Sequence, residues 1–145
     1  MSSSVLEACH AGNCATILAV NDSPDFLNLL GVVLRDEEVR VITAENGAAA
    51  LELLKTTRPD LIISDVVMPG INGIELCRQL KTNPATRNIP VLLVTALRCD
   101  EADVIEGLRA GADDYIPAYV PIELLQKKVD LLISYHRHLE TCQLP

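Results

Sequence analysis

Three polar residues stand at the ends of apolar runs, where their chemistry could be used. Asp22 comes with Asn21 after Thr16-Ile17-Leu18-Ala19-Val20, Asp65 follows Leu61-Ile62-Ile63-Ser64, and Thr95 ends Pro90-Val91-Leu92-Leu93-Val94. Two carboxylates brought together repel unless a proton or a cation lies between them. Hard oxygen donors of this kind suit Mg²⁺, which keeps several waters and accepts one or two carboxylates. A carboxylate neutralised in that way can attack a phosphoryl donor and become an aspartyl phosphate, while a hydroxyl beside it donates to a phosphoryl oxygen. Singly, each residue has an ordinary role: Asp22 caps a helix, Asp65 opens a loop, Thr95 ends a strand. They lie 43 and 30 residues apart, so the chemistry depends on a fold that gathers them.

The chain alternates between two kinds of segment. Strand-like runs at Thr16–Val20, Val39–Thr43, Leu61–Ser64, Pro90–Thr95 and Asp114–Ile116 are each followed by apolar residues at helical spacing. Asp22 or Ser23, with Pro24, opens the first helix, whose Phe26, Leu27, Leu30, Val33 and Leu34 lead up to Arg35. Asn46 caps the second, which passes Ala50, Leu51 and Leu54 and stops before Arg58-Pro59. The third spans Ile74 to Lys81 after the turn residues Met68-Pro69-Gly70-Ile71-Asn72-Gly73. A fourth runs from about Glu101 to Ala110 and closes at Gly111, and Pro121 opens the last, which reaches about Glu140. Strands that are apolar throughout are buried on both faces, which predicts a doubly wound α/β domain with a five-stranded parallel sheet and helices on either side. The expected organisation is a flexible leader over 1–15, one domain over 16–140 and a tail over 141–145.

Open parallel sheets bind ligands beyond the carboxyl ends of their strands, where strand order reverses. Because parallel strands point one way, Asp22, Asp65 and Thr95 converge on a single rim. Asp60 precedes the third strand and belongs to the opposite rim, roughly 17 Å away.

Composition narrows the function classes. With 12 Lys+Arg against 20 Asp+Glu, the 145-residue chain carries a formal charge of −8, and 49% of it is apolar. Such an acid excess repels phosphate backbones and anionic lipid, which argues against direct binding to nucleic acid or membrane. No stretch approaches the roughly 18 apolar residues of a membrane span, and Met1 to Ala19 lacks the pattern of a signal peptide. Cys9, Cys14, Cys77, Cys99 and Cys142 are odd in number and form no Cys-x-x-Cys pair, so they read as reduced thiols of a soluble cytoplasmic protein. Cys9, His10 and Cys14 could supply zinc ligands, but no second half with ligand spacing follows, and a polar leader is the preferred reading.

Taken in order, Asn21-Asp22, Asp65-Val66-Val67-Met68-Pro69-Gly70-Ile71-Asn72-Gly73, Val94-Thr95-Ala96 and Gly111-Ala112-Asp113-Asp114-Tyr115-Ile116 resemble the receiver domain of two-component response regulators, over about residues 16 to 138. The resemblance implies a flavodoxin-like sheet of order 2-1-3-4-5 with five helices. It implies Asp65 as the phosphoacceptor, becoming 4-aspartyl phosphate, with Thr95 as phosphoryl contact and switch hydroxyl and Tyr115 as switch aromatic. By itself Tyr115 reads as a core tyrosine with its hydroxyl at the surface. Mg²⁺, or Mn²⁺ in its place, is expected on Asp22, Asp65 and the backbone carbonyl of Val67. The implied partners are a histidine kinase or phosphotransfer protein, docking near the rim and first helix, and a downstream protein or output domain. No enzymatic activity is expected beyond self-phosphorylation and slow autodephosphorylation at Asp65.

Two positions depart from the family pattern. Asn21 replaces the first of a pair of acids, and Ala118-Tyr119 replaces a Lys-Pro dipeptide. A non-proline cis bond costs roughly 2.5–4 kcal/mol, so a trans peptide and a shifted loop are expected at Ala118-Tyr119. Three acids with one lysine carry the same net charge as two acids without it. A Mg²⁺ site is therefore retained on this reading, with Asn21 supplying an amide oxygen or holding a coordinated water. What is lost with the lysine is a charge-assisted contact from the phosphoryl group to the last loop. Phosphorylation with a weakened or rerouted readout is the expectation; the alternative is a degenerate pseudo-receiver, a protein-interaction module independent of phosphorylation. A haloacid-dehalogenase-like phosphohydrolase would need a second Asp where Val67 stands. Val67 and Leu97 are apolar at positions that border the attacking water in this family, so the acyl phosphate should hydrolyse slowly.

Ile122, Leu125, Val129, Leu132, His136 and Leu139 form a heptad-like seam on the last helix. Core packing is its preferred reading, and a homodimer through the last helices the other. His136 and His138 read as solvated.

Overall fold

The computed structural model describes residues 15–36, 38–96 and 100–142. Ten elements alternate: β1 (Ala15–Val20), α1 (Pro24–Leu34), β2 (Val39–Ala44), α2 (Gly47–Leu53), β3 (Leu61–Ser64), α3 (Gly73–Thr82), β4 (Val91–Thr95), α4 (Glu101–Arg109), β5 (Asp114–Pro117) and α5 (Ile122–Cys142). All strand pairs in the sheet are parallel and the order is β2-β1-β3-β4-β5. The flavodoxin-like arrangement expected from the sequence is the one observed. Element ends differ by a residue or two, as helix ends commonly do: Ala15, expected in the leader, pairs with Val39, and α5 continues to Cys142. The Cys9-His10-Cys14 cluster lies outside the described residues.

Alternation along β1 builds two cores. Leu18 and Val20 pack with Ala50 of α2 and with Ile74, Leu76, Cys77 and Leu80 of α3. Ile17 and Ala19 face the other way, toward Leu27, Leu30 and Leu34 of α1 and Leu125, Val129 and Ile133 of α5. Each fully buried leucine or isoleucine contributes about 1.5–3 kcal/mol, so packing on both faces fixes where the central strands end. Where the helices begin is set by side-chain caps. Asn46 accepts from Ala49 N, and Asn72 accepts from Glu75 N at 2.8 Å. At α1 the cap is Ser23, accepting from Phe26 N; Asp22 is left exposed on the rim.

The entry to β4 is fastened from below. Lys81 donates to Ile89 O at 2.8 Å and to Asp113 Oδ2 at 3.1 Å, and the same Asp113 oxygen accepts from Val91 N at 2.8 Å. Gly111 takes φ +108° at the end of α4, where an added Cβ would lie 2.6 Å from Lys81 Cγ.

The last helix uses core packing. Its inward residues are Leu125, Val129, Ile133 and His136, while Ile122 is exposed. The expectation of a solvated His136 is corrected: it is 2% exposed, with Nδ1 3.7 Å from Asp60 Oδ1. Asp60 sits on the lower rim, as its place before β3 requires, and accepts from Thr16 N at 2.9 Å. Arg137 Nε lies 3.6 Å from the same carboxylate. Asp60 lies beneath the sheet beside this buried imidazole, a proximity that the helical period alone does not reveal. His138 is exposed, as expected. Among the described residues no helix is long and apolar enough to cross a membrane.

Candidate functional site

Strand register assembles the upper rim. Val20 lies opposite Ser64, and Ser64 opposite Leu93. The next residues up, Asn21, Asp65 and Val94, are therefore level, with Thr95 one step beyond. Asp65 N donates to Val20 O at 2.9 Å, which carries the β1–β3 ladder into the site.

The Asp65 carboxylate is half-buried and held by donors. Val66 N donates to Oδ1 at 2.8 Å. The Thr95 hydroxyl bonds to this carboxylate, the Val67 N–H lies close enough to favour its charge, and the charge of Asp22 acts on it. Burial pushes the Asp65 pKa above its ordinary 3.8, and the Asp22 charge adds to the rise, against the lowering by the Val66, Val67 and Thr95 donors. The structure thus brings together Asp22, Asp65 and Thr95.

Asp65 has a consequence for stability. With its folded pKa raised, the folded state holds the proton more tightly than the unfolded chain does. Its favourable contribution is complete below about pH 3.8 and is lost as pH rises through the raised folded value. At pH 7 the ionised carboxylate opposes folding, so Asp65→Asn is expected to melt at a higher temperature than the wild type. The gain should shrink as pH falls toward the unfolded value. Melting curves of both proteins across that range check it, and an Asn variant that melts no higher at pH 7 contradicts it.

The remaining rim residues are placed as follows. Asn21 is buried, and its Oδ1 accepts from Ser23 N at 2.9 Å, a turn that leads into the α1 cap. Ala118 N donates to Thr95 O at 2.8 Å, and the Ala118-Tyr119 peptide is trans, as expected. Ala118 packs against the core beneath α1 and α5, while the Tyr119 ring is 79% exposed. Tyr115 is 8% exposed, its ring lying against Gly107 so closely that a Cβ there would be 2.6 Å from Tyr115 Cδ2. Val67 exposes its side chain; Leu97 lies outside the described residues.

Among the described residues no group of three or more His, Cys, Asp or Glu side chains gathers. The donors available at the rim are two carboxylates whose charges oppose each other, completed by backbone oxygen. That set fits a hard cation that keeps much of its water shell.

Three residues that shape the site escaped the sequence reading. Ser64 is fully buried and donates to Asp65 O at 2.9 Å; a lone hydroxyl ending an apolar strand was its signal. Gly73 read as a turn residue and the end of the Asp65–Gly73 motif, with no sign that a Cβ there would lie 2.1 Å from Asp65 O. Gly107 sits inside α4, where glycine is unfavourable without a packing reason.

Comparison with known proteins agrees with this geometry. The family model described as the response regulator receiver domain matches residues 17–130. Protein PilH of Pseudomonas aeruginosa is 38% identical over 120 residues, covering 83% of this chain and 98% of that protein. The DNA-binding response regulator MtrA of Mycolicibacterium smegmatis is 38% identical over 112 residues, 77% of this chain; the chain spans about half of that relative's length, 47%. Among solved structures, the receiver domain of a signal transduction histidine kinase from Syntrophus aciditrophicus superposes with a TM-score of 0.77 at 42% identity, covering 83% of this chain and 91% of that one. With the strand order, the residues gathered at the rim and these matches in agreement, the chain belongs to the response regulator receiver domains of two-component systems.

Proposed function

We propose that Asp65 is the phosphoacceptor of this receiver domain and that its phosphorylation, with Mg²⁺, signals through protein partners. The observation that carries this reading is a half-buried carboxylate held by the Val66 N–H, with the Thr95 hydroxyl and the Asp22 charge beside it. In the reaction an Asp65 oxygen attacks the phosphorus of a donor, the new O–P bond forms, and the bond to the donor's leaving group breaks. Asp22, Asp65 and the Val67 carbonyl would hold Mg²⁺, or Mn²⁺, which when bound neutralises charge on the transferring group. Thr95 supports the product by turning its hydroxyl from Asp65 to a phosphoryl oxygen. Ala118 offers no side-chain donor, so coupling to the β5–α5 loop is weakened and the readout falls to Thr95 and Tyr115.

The donor is a histidine kinase or phosphotransfer protein, and the recipient of the signal a downstream protein or output domain, in the cytoplasm. A homodimer through the last helices stays part of this reading, with Ile122, Leu124, Leu131 and Tyr135 among the apolar residues that α5 exposes.

Incubation with a small phosphodonor and Mg²⁺ tests the proposal by intact mass. The wild type is expected to gain one phosphoryl group and Asp65→Asn none. Slow decay follows from the apolar Val67, and Val67→Asn should shorten the lifetime several-fold by orienting water. A wild type that gains nothing would leave the phosphorylation-independent interaction module as the better reading.

A further inference from the structure

We infer that Ser64 is a positioning residue for Asp65, aiming its carboxylate through the peptide group that joins Asp65 to Val66. The inference rests on Asp65 being the phosphoacceptor. Ser64 ends β3 and is 0% exposed, among Ile62, Ile63 and Val66 that are equally enclosed. A hydroxyl there must find a partner or destabilise the fold; it donates to the Asp65 carbonyl oxygen at 2.9 Å. That carbonyl and the Val66 N–H are the two ends of one planar unit. The Val66 N–H in turn donates to Asp65 Oδ1 at 2.8 Å.

Ser64 therefore holds one end of a rigid plate whose other end holds the reacting carboxylate. The plate is enclosed from the far side as well. Gly73 N donates to Val66 O at 2.8 Å, and the Gly73 Cα approaches the Asp65 carbonyl so closely that no Cβ would fit. If the hydroxyl is removed, the carbonyl loses its donor, the plate can tilt, and the Val66 N–H swings away from Oδ1. A carboxylate free to rotate spends less time in line with a phosphodonor, and small misplacements of reacting atoms slow reactions steeply.

The test compares wild type, Ser64→Ala and Ser64→Cys by two readouts. In Ser64→Ala the Val66 amide is expected to exchange with solvent about tenfold faster, while the amides of Ile63 and Leu93 keep their protection. The maximal rate of Asp65 phosphorylation from a small phosphodonor with Mg²⁺ should fall about tenfold, with the half-saturating donor concentration unchanged. Ser64→Cys, which keeps a weak donor, should lie between the two. An alanine variant with wild-type exchange at Val66 or a wild-type maximal rate overturns the inference. So does a general loosening, in which Ile63 and Leu93 lose protection along with Val66. If the wild type takes no phosphoryl group, the phosphoacceptor reading fails, and Val66 exchange alone then supports or overturns the hold of Ser64 on the carboxylate.

Discussion

Replacing Gly73 with alanine is expected to lower unfolding stability by about 3 kcal/mol or more and to abolish phosphoryl uptake at Asp65. The added Cβ would lie 2.1 Å from Asp65 O, 2.9 Å from Asp65 C and 3.0 Å from Val66 Cα. All three are backbone atoms, so no rotamer change relieves the contact. Either α3 retreats from β3 or the loop after Asp65 moves. Retreat is opposed by Ile74, Leu76, Cys77 and Leu80, which anchor α3 in the core. Loop movement breaks the Gly73 N to Val66 O bond and turns the peptide that holds the Asp65 carboxylate. Denaturant midpoints and intact mass after phosphodonor treatment measure the two effects. An alanine variant with the wild-type midpoint would show that the loop gives way freely.

Gly107→Ala is expected to drive the Tyr115 ring out of its buried position at a cost of about 2 kcal/mol, the burial of one large side chain. Here the new Cβ would meet ring atoms at 2.6 and 2.8 Å and Leu93 Cδ1 at 3.0 Å. A ring can swing away where backbone cannot, so the effect is smaller than at Gly73 and confined to the β5 side. Asp65 keeps its donors, and phosphoryl uptake should continue at the wild-type rate. The chain has three tyrosines and no tryptophan, and Tyr119 and Tyr135 are already exposed. In a Tyr119→Phe, Tyr135→Phe background, acrylamide quenching reports Tyr115 alone and should rise on Gly107→Ala. Unchanged quenching would mean that α4 shifts instead of the ring.

The strands were legible because two-sided burial demands continuous apolar runs, and Leu61–Ser64 and Val91–Thr95 could hardly be anything else. Asp22, Asp65 and Thr95 were legible for the same reason, since a parallel sheet places every strand end on one rim. Ser23 against Asp22 as the α1 cap was undecided in the sequence, because both side chains can accept from the first turn. His136 was misread because its partner, Asp60, lies far away in sequence and meets it only under the folded sheet. Ser64, Gly73 and Gly107 act by proximity to atoms from other segments, and a linear pattern carries no distances of that kind. Cap choice, the histidine and the two close-packed glycines share one property: each is decided by a neighbour, where strand identity is decided by the residue's own run.

The place of β1 between β2 and β3 has a kinetic meaning. Parallel neighbours cannot be closed by a hairpin and need a crossover of a dozen residues or more. β1 meets β3 across 44 residues, as between Thr16 and Asp60, and loop closure over that span must be completed before the contacts reward it. Asp22 and Asp65 face each other only after Val20 has settled opposite Ser64, and Thr95 joins only when β4 has docked on β3. In a chain still being synthesised or only partly folded, Asp65 is an ordinary hydrated carboxylate. On the proposed reading, an Asp65 able to take a phosphoryl group is thus completed only when both the β1–β3 and the β3–β4 pairings have formed.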